Sequence, residues 1–174
     1  MSLKPFTLAA AAMLLATAPA FASDSPIPSS SDQFTVYDTV EGWTVYADGS
    51  TKTCLIERTD EAGNAMQMGL TADRDFAYVG VFTQADIEAA SGDIALGVGG
   101  KVFVGETHAI KSGKLAADYR GGYVLTNNPD LVTAIAESQT MIAFPDQPIA
   151  FVIDLTGTKK AIEAARACNA SLAG

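Results

Sequence analysis

Trp43-Thr44-Val45-Tyr46-Ala47-Asp48-Gly49, followed by Thr53-Cys54-Leu55-Ile56-Glu57-Arg58-Thr59, is the stretch on which the fold turns. Trp43, Val45 and Ala47 alternate with Thr44 and Tyr46, the period-two pattern of a half-buried strand. Asp48-Gly49 is a hairpin turn signal, since both residues tolerate the backbone angles that tight turns need. On the return leg Cys54 and Ile56 share one face and Leu55 and Glu57 the other, because successive strand side chains point to opposite sides. The apolar face of such a hairpin needs a second layer, and the flanking sequence offers one.

Beyond the hairpin, a polar turn at 60–64 leads to a strand at 65–70 with Met66 and Met68 on a common face. Residues 76–82 are aromatic and β-branched enough for a central strand, with Phe76, Tyr78, Gly80 and Phe82 on one side. Short connections make these pieces an antiparallel meander. Residues 84–90 suit one helical turn or a loop, and shorter strands are expected at 93–98, 101–106, 115–119 and 123–126. Gly97-Val98-Gly99-Gly100 lies between strands and opens no helix. It therefore lacks the converging amides of a phosphate cradle and reads as a hairpin turn or bulge. Asn128 and Pro129 form a helix start, an N-cap followed by a residue suited to the first helical position. Leu131, Val132 and Ile135 give that helix an apolar stripe to about Gln139. Strands at 141–144 and 149–155 flank the turn Pro145-Asp146-Gln147-Pro148. Gly157-Thr158 then opens a terminal helix to about Ala170, with Ile162, Ala165 and Cys168 on its apolar face. The fold class read from this pattern is α+β, mainly an antiparallel sheet or sandwich with two helices in the C-terminal third.

The N-terminal end supplies an address. Lys4, an apolar run from Phe6 to about Ala18, and Ala20-Phe21-Ala22 before Ser23 have the layout of a secretory signal peptide over 1–22. The run is short for a membrane span. A Pro/Ser leader over 23–32 has nothing to bury, and 33–174 is read as a single exported domain, large enough to fold without a metal. In an oxidising compartment the only two cysteines, Cys54 and Cys168, are expected to pair. Their wide separation lacks the Cys-x-x-Cys arrangement of a reactive thiol, so the role is structural. The chain carries 11 Lys and Arg against 20 Asp and Glu, a net charge of −9. Such a surface repels nucleic acid and anionic lipid, and its scattered acids read as solvation. Low lysine with many acids also suits a saline habitat. No second long apolar run follows the leader, so no integral membrane segment is expected after cleavage.

Gly42-Trp43-Thr44-Val45, Cys54-Leu55-Ile56, a helix at 130–137, a strand pair, and Phe151-Val152-Ile153-Asp154-Leu155-Thr156-Gly157 running into a helix with Cys168 form a further pattern. Together they resemble exported bacterial proteins of the invasion-associated locus B type and their uncharacterised relatives, over most of 42–168. The resemblance implies a periplasmic or envelope-associated protein, some members being linked to host-cell invasion. It brings no catalytic residue with it.

Chemistry is sparse. His108 is the only histidine, and a serine-histidine-acid or metal site would have to use it. Its place before Lys111-Ser112-Gly113-Lys114 reads instead as an exposed turn, leaving His108 a binding candidate. With one histidine and paired cysteines, zinc would need several carboxylates, and no His-Glu-x-x-His spacing exists. Asp73-Arg74-Asp75 and Asn127-Asn128-Pro129-Asp130 offer oxygens to calcium without the twelve-residue loop, and read as a polar loop and a helix cap. A Ser112–Lys111 or Ser112–Lys114 dyad would lack a desolvated lysine. Paired carboxylates on neighbouring strands are a further option that nothing in the sequence selects. No metal or cofactor is expected. If helices cover one sheet face, Tyr46 or Tyr78 on the other offers a contact surface, as does the glycine-rich region 97–122. The expected function is a non-enzymatic exported envelope protein, periplasmic or secreted, that binds another protein or a cell-surface component. The alternative is a small-ligand binder or a hydrolase acting on envelope material.

Overall fold

The hairpin of Trp43–Asp48 (β2) and Thr53–Thr59 (β3) sits inside a large antiparallel sheet, preceded by Phe34–Val40 (β1) and followed by Ala65–Leu70 (β4) and Ala77–Thr83 (β5). Arg120–Thr126 (β9) pairs with β5 at the far side. The two-residue strand Thr107–His108 (β8) extends that edge. Ile94–Val98 (β6), Lys101–Gly105 (β7), Thr140–Ala143 (β10) and Phe151–Asp154 (β11) form a second antiparallel sheet in the order β11-β10-β6-β7. Helices Pro129–Glu137 (α1) and Thr158–Leu172 (α2) complete an α+β, mainly β architecture. The computed structural model describes residues 28, 32–85, 94–105, 107–108, 119–145 and 150–173. The segment read as a signal peptide, nearly all of the leader and most of the segments 84–90, 115–119 and 145–148 lie outside these residues.

The main core fills the space between the sheets and under the helices. Trp43, Val45, Cys54, Ile56, Met66, Met68, Val79, Val81 and Val124 reach it from the large sheet, and Ile94, Leu96, Val98, Met141, Ala143 and Ile153 from the small one. Leu131 and Ile135 enter from α1, and Ala161 and Cys168 from α2. The alternation expected for Cys54/Ile56 against Leu55, and for the Met66/Met68 pair, is the observed one. Burial of Leu131 and Ile135 one turn apart turns α1 toward the core, and its start matches the sequence reading. The Asn128 side chain accepts from the Asp130 amide at 2.9 Å, and Pro129 occupies the first turn.

Two ties fix α2 against the large sheet. Cys54 and Cys168 form a disulfide with a Cα–Cα distance of 6.1 Å across 114 residues. One residue on, Asn169 Oδ1 accepts from the Cys54 amide at 3.1 Å while its Nδ2 donates to the Ala165 carbonyl at 2.9 Å. At the start of α2 the Thr156 carbonyl accepts from Trp43 Nε1 at 2.9 Å and from the Arg58 guanidinium at 2.7 Å. Arg58 also pairs with Asp154 at 2.7 Å and lies 6.0 Å from the centre of the Trp43 ring. Lys160 pairs with Glu41 on the same side.

The Asp154 carboxyl is held below the ordinary carboxylate range, first by hydrogen bonds from Thr156 and then by the Arg58 charge. A depressed folded value means that the unfolded chain binds more protons in acid. The resulting stabilisation is therefore present above the unfolded value near 3.8 and is lost as pH falls through the folded one. Urea midpoints should hold steady above about pH 5 and fall below it, and Asp154→Asn should make that fall shallower. An unchanged acid limb in the variant would remove Asp154 from the account.

The β5–β9 pairing depends on a residue without a Cβ. Gly121 has φ 153°, and a methyl there would collide with the Val81 carbonyl oxygen and lie 2.8 Å from Phe82 Cα. Both obstacles are backbone, so no rotamer change relieves them. Gly121→Ala is expected to cost about 3 kcal/mol, read as a lowered denaturation midpoint.

Candidate functional site

The face of the large sheet away from the helices is not open. Leu55, Ala65, Tyr78, Phe82 and Tyr123 form a second buried cluster there, with Phe34, Tyr46, Tyr119 and Leu125 packed against it. Tyr46, Leu55, Gly69, Tyr78 and Leu125 stand in one register row across five strands. Tyr78 as an exposed contact residue is therefore a reading the structure corrects. It is 3% exposed, edge-on to Tyr123 at 5.4 Å, with its hydroxyl over Gly69, where any Cβ would collide. Burial pushes its phenol well above the ordinary range. Tyr46 is half-buried and edge-on to Phe34 at 6.3 Å. The backbone of His108 pairs with Tyr123 in β8, and its side chain is outside the described residues. Tyr46 and Tyr78 are three strand spacings apart, about 14 Å, so these candidates do not converge on one site. Phe76, expected beside Tyr78, precedes β5 instead and is 42% exposed.

The oxygen-rich stretches serve the chain itself. Asp73 accepts from the Thr71 hydroxyl at 2.5 Å and from the Asp75 amide at 3.1 Å, bonds that hold its carboxyl below the ordinary carboxylate range and close a turn. Asn128 is occupied as the α1 cap. Among the described residues no three His, Cys, Asp or Glu side chains gather as a metal site would require. Among them, too, no helix is long and apolar enough to cross a membrane.

A concavity lies elsewhere, where α1 and α2 stand on the large sheet without closing over it. Its floor is Cys54 and Ile56 from β3, Met68, Gly69 and Leu70 from β4, and Ala77 from β5. Pro129, Val132 and Thr133 of α1 make one wall; Ile162, Ala165, Arg166 and Asn169 of α2 make the other. The cleft encloses about 310 Å³, at the small end of ligand sites. A second recess of about 200 Å³ shares Leu70, Ala77, Pro129 and Val132 with it and runs on to the exposed Phe76. The disulfide lies at the base of the α2 wall, so the bond that ties the chain ends also sets the cleft's width. Among the described residues, no carboxylate or imidazole lines the cleft.

The sequence reading placed Ile162 and Ala165 on the helix face that packs inward, but did not see that α1 and α2 leave the floor between them uncovered. A signal was present in α2. Arg166 and Asn169 stand at positions i+4 and i+7 from Ile162, on the flank of an otherwise apolar stripe. Arg166 is exposed there and marks a face only partly covered by protein, whereas Asn169 is buried against Cys54.

A different apolar surface is the outer face of the small sheet. Val152, Ile142, Gly97 and Val102 are register partners in one row, with Val104 one step along β7. Val102 and Val104 are each more than 60% exposed, Val152 57% and Ile142 41%.

No family model matches the chain, and neither the curated proteins nor the solved structures yield a match.

Proposed function

We propose that this chain is a non-enzymatic exported protein of the cell envelope that binds an apolar portion of a cell-surface component in the cleft between α1 and α2. The observation that carries the reading is the cleft's lining: apolar side chains on floor and walls, a few polar groups at the α2 side, and no acid–base pair. Such a surface gains free energy by excluding water from a ligand and has no evident means of breaking one of its bonds. The Cys54–Cys168 disulfide and the resemblance to exported invasion-associated locus B type proteins support the envelope address.

The row of exposed β-branched side chains on the small sheet favours a second reading, a partner protein docked on that face. Crosslinking capture from native envelope separates the two. Val132→Trp fills the cleft, whereas Val102→Lys with Val104→Lys charges the outer face. The cleft reading expects the component captured by wild type to be lost with Val132→Trp and kept with the lysine pair. Loss with the lysine pair alone would move the function to the outer face.

A further inference from the structure

Arg166 is the feature of the cleft that apolar binding does not explain. It lines the cleft from α2, is exposed, and has no hydrogen bond or ion pair among the described residues. Lys52 and Lys159 also lack a carboxylate partner among the described residues, but Arg166 is the basic residue that lines the cleft. Arg58 and Arg74, by contrast, are engaged: Arg58 on Asp154 and the Thr156 carbonyl, Arg74 on the Lys52 carbonyl at 2.8 Å. Guanidinium presents a fork of donors matched to a carboxylate, and its attraction strengthens beside surface that excludes water. The shape adds a direction. From Arg166 the cleft leads past Val132 and Ala77 into the second recess, ending near Phe76 and Asp75. That end carries Arg74 beside Asp75, and the Arg74 guanidinium is engaged by the Lys52 carbonyl, so the cation without a partner is the one at the α2 end.

Resting on the proposed binding role of this cleft, we infer that its ligand is a single-chain acyl carboxylate. The carboxylate sits on Arg166, and the hydrocarbon lies along Ile162, Met68, Val132 and Leu70 toward Phe76. One chain suits the two small joined recesses, and charge complementarity selects the anionic head.

Calorimetric titration of the whole exported chain with dodecanoate, dodecanol and dodecylammonium, each below its micelle concentration, tests both layers. The general field of an acidic protein favours the ammonium, so preference for the carboxylate has to come from a local cation. The expected result is dodecanoate tightest and weakened about ten-fold or more by Arg166→Ala, partly restored by Arg166→Lys and unaffected by Lys159→Ala, which removes an exposed cation outside both recesses. Equal binding of dodecanoate and dodecanol, insensitive to Arg166→Ala but abolished by Val132→Trp, would overturn the carboxylate inference and leave the apolar cleft standing. Failure of all three probes to bind folded protein, with Val132→Trp indistinguishable from wild type, would overturn both. Arg166 is exposed and Val132 half-buried, so circular dichroism should show each variant folded.

Discussion

Replacing both cysteines by alanine is expected to lower stability by about 4–5 kcal/mol, the chain-entropy value for a loop of this length. The bond joins β3 to the last turns of α2 across 114 residues, so its loss frees nearly the whole chain in the unfolded state. Both cysteines are almost fully buried, at 1% and 0% exposure, and alanine leaves no polar group behind in the core. A domain of this size holds roughly 5–15 kcal/mol in all, so the loss takes about a third or more of its stability. Urea titration of oxidised protein, reduced protein and the double variant checks this. The last two should coincide, well below the first. Equal midpoints for oxidised and reduced protein would mean that the helix is held by packing, the Asn169 hydrogen bonds and the contacts at its start without help from the disulfide. Because Cys54 lines the cleft, reduction should also weaken any ligand bound there more than it disturbs the sheet.

Trp43→Ala should cost about 3–5 kcal/mol, the usual range for emptying a large aromatic site. Trp43 is fully buried, and its indole donates to the Thr156 carbonyl that also receives Arg58. Truncation thus opens a cavity under α2 and unpicks the junction that fixes where the helix starts. Trp43→Phe retains most of the volume and should lose much less. Differential scanning calorimetry separates the cases, and equal losses would assign the effect to the lost hydrogen bond instead of the cavity. As Trp43 is the only tryptophan, its fluorescence in wild type reports the same junction directly.

How far these elements were legible in the sequence depended on whether their signals were local. The Trp43–Thr59 hairpin, the Asn128-Pro129 helix start and the Gly99-Gly100 turn between β6 and β7 each rest on a few adjacent residues, and each is found where expected. The Cys54–Cys168 pairing was readable because only two cysteines exist. What was not readable was the layering. Period-two alternation says that Tyr78 and Val79 face opposite ways, but not that both faces are buried. A tyrosine lying over a glycine on a neighbouring strand leaves no pattern along the chain. Alternation assigns Phe76 to the Tyr78 face, yet the turn closed by Thr71, Asp73 and the Phe76 carbonyl delays the start of β5 to Ala77. The cleft is a further step removed, since it exists only because two helices distant in sequence leave part of the floor uncovered.

The central claim is that this cleft is the binding surface, and methyl-resolved NMR tests it most directly. The experiment titrates the oxidised protein, with labelled Met, Ile, Leu and Val methyls, against detergent-free lipid extract from the cells that produce it. The account predicts shifts confined to Ile56, Met68, Leu70, Val132 and Ile162, with Val102, Val104 and Val152 unmoved. Shifts on the outer face with the cleft methyls silent, or no shift at any of these sites, would contradict it.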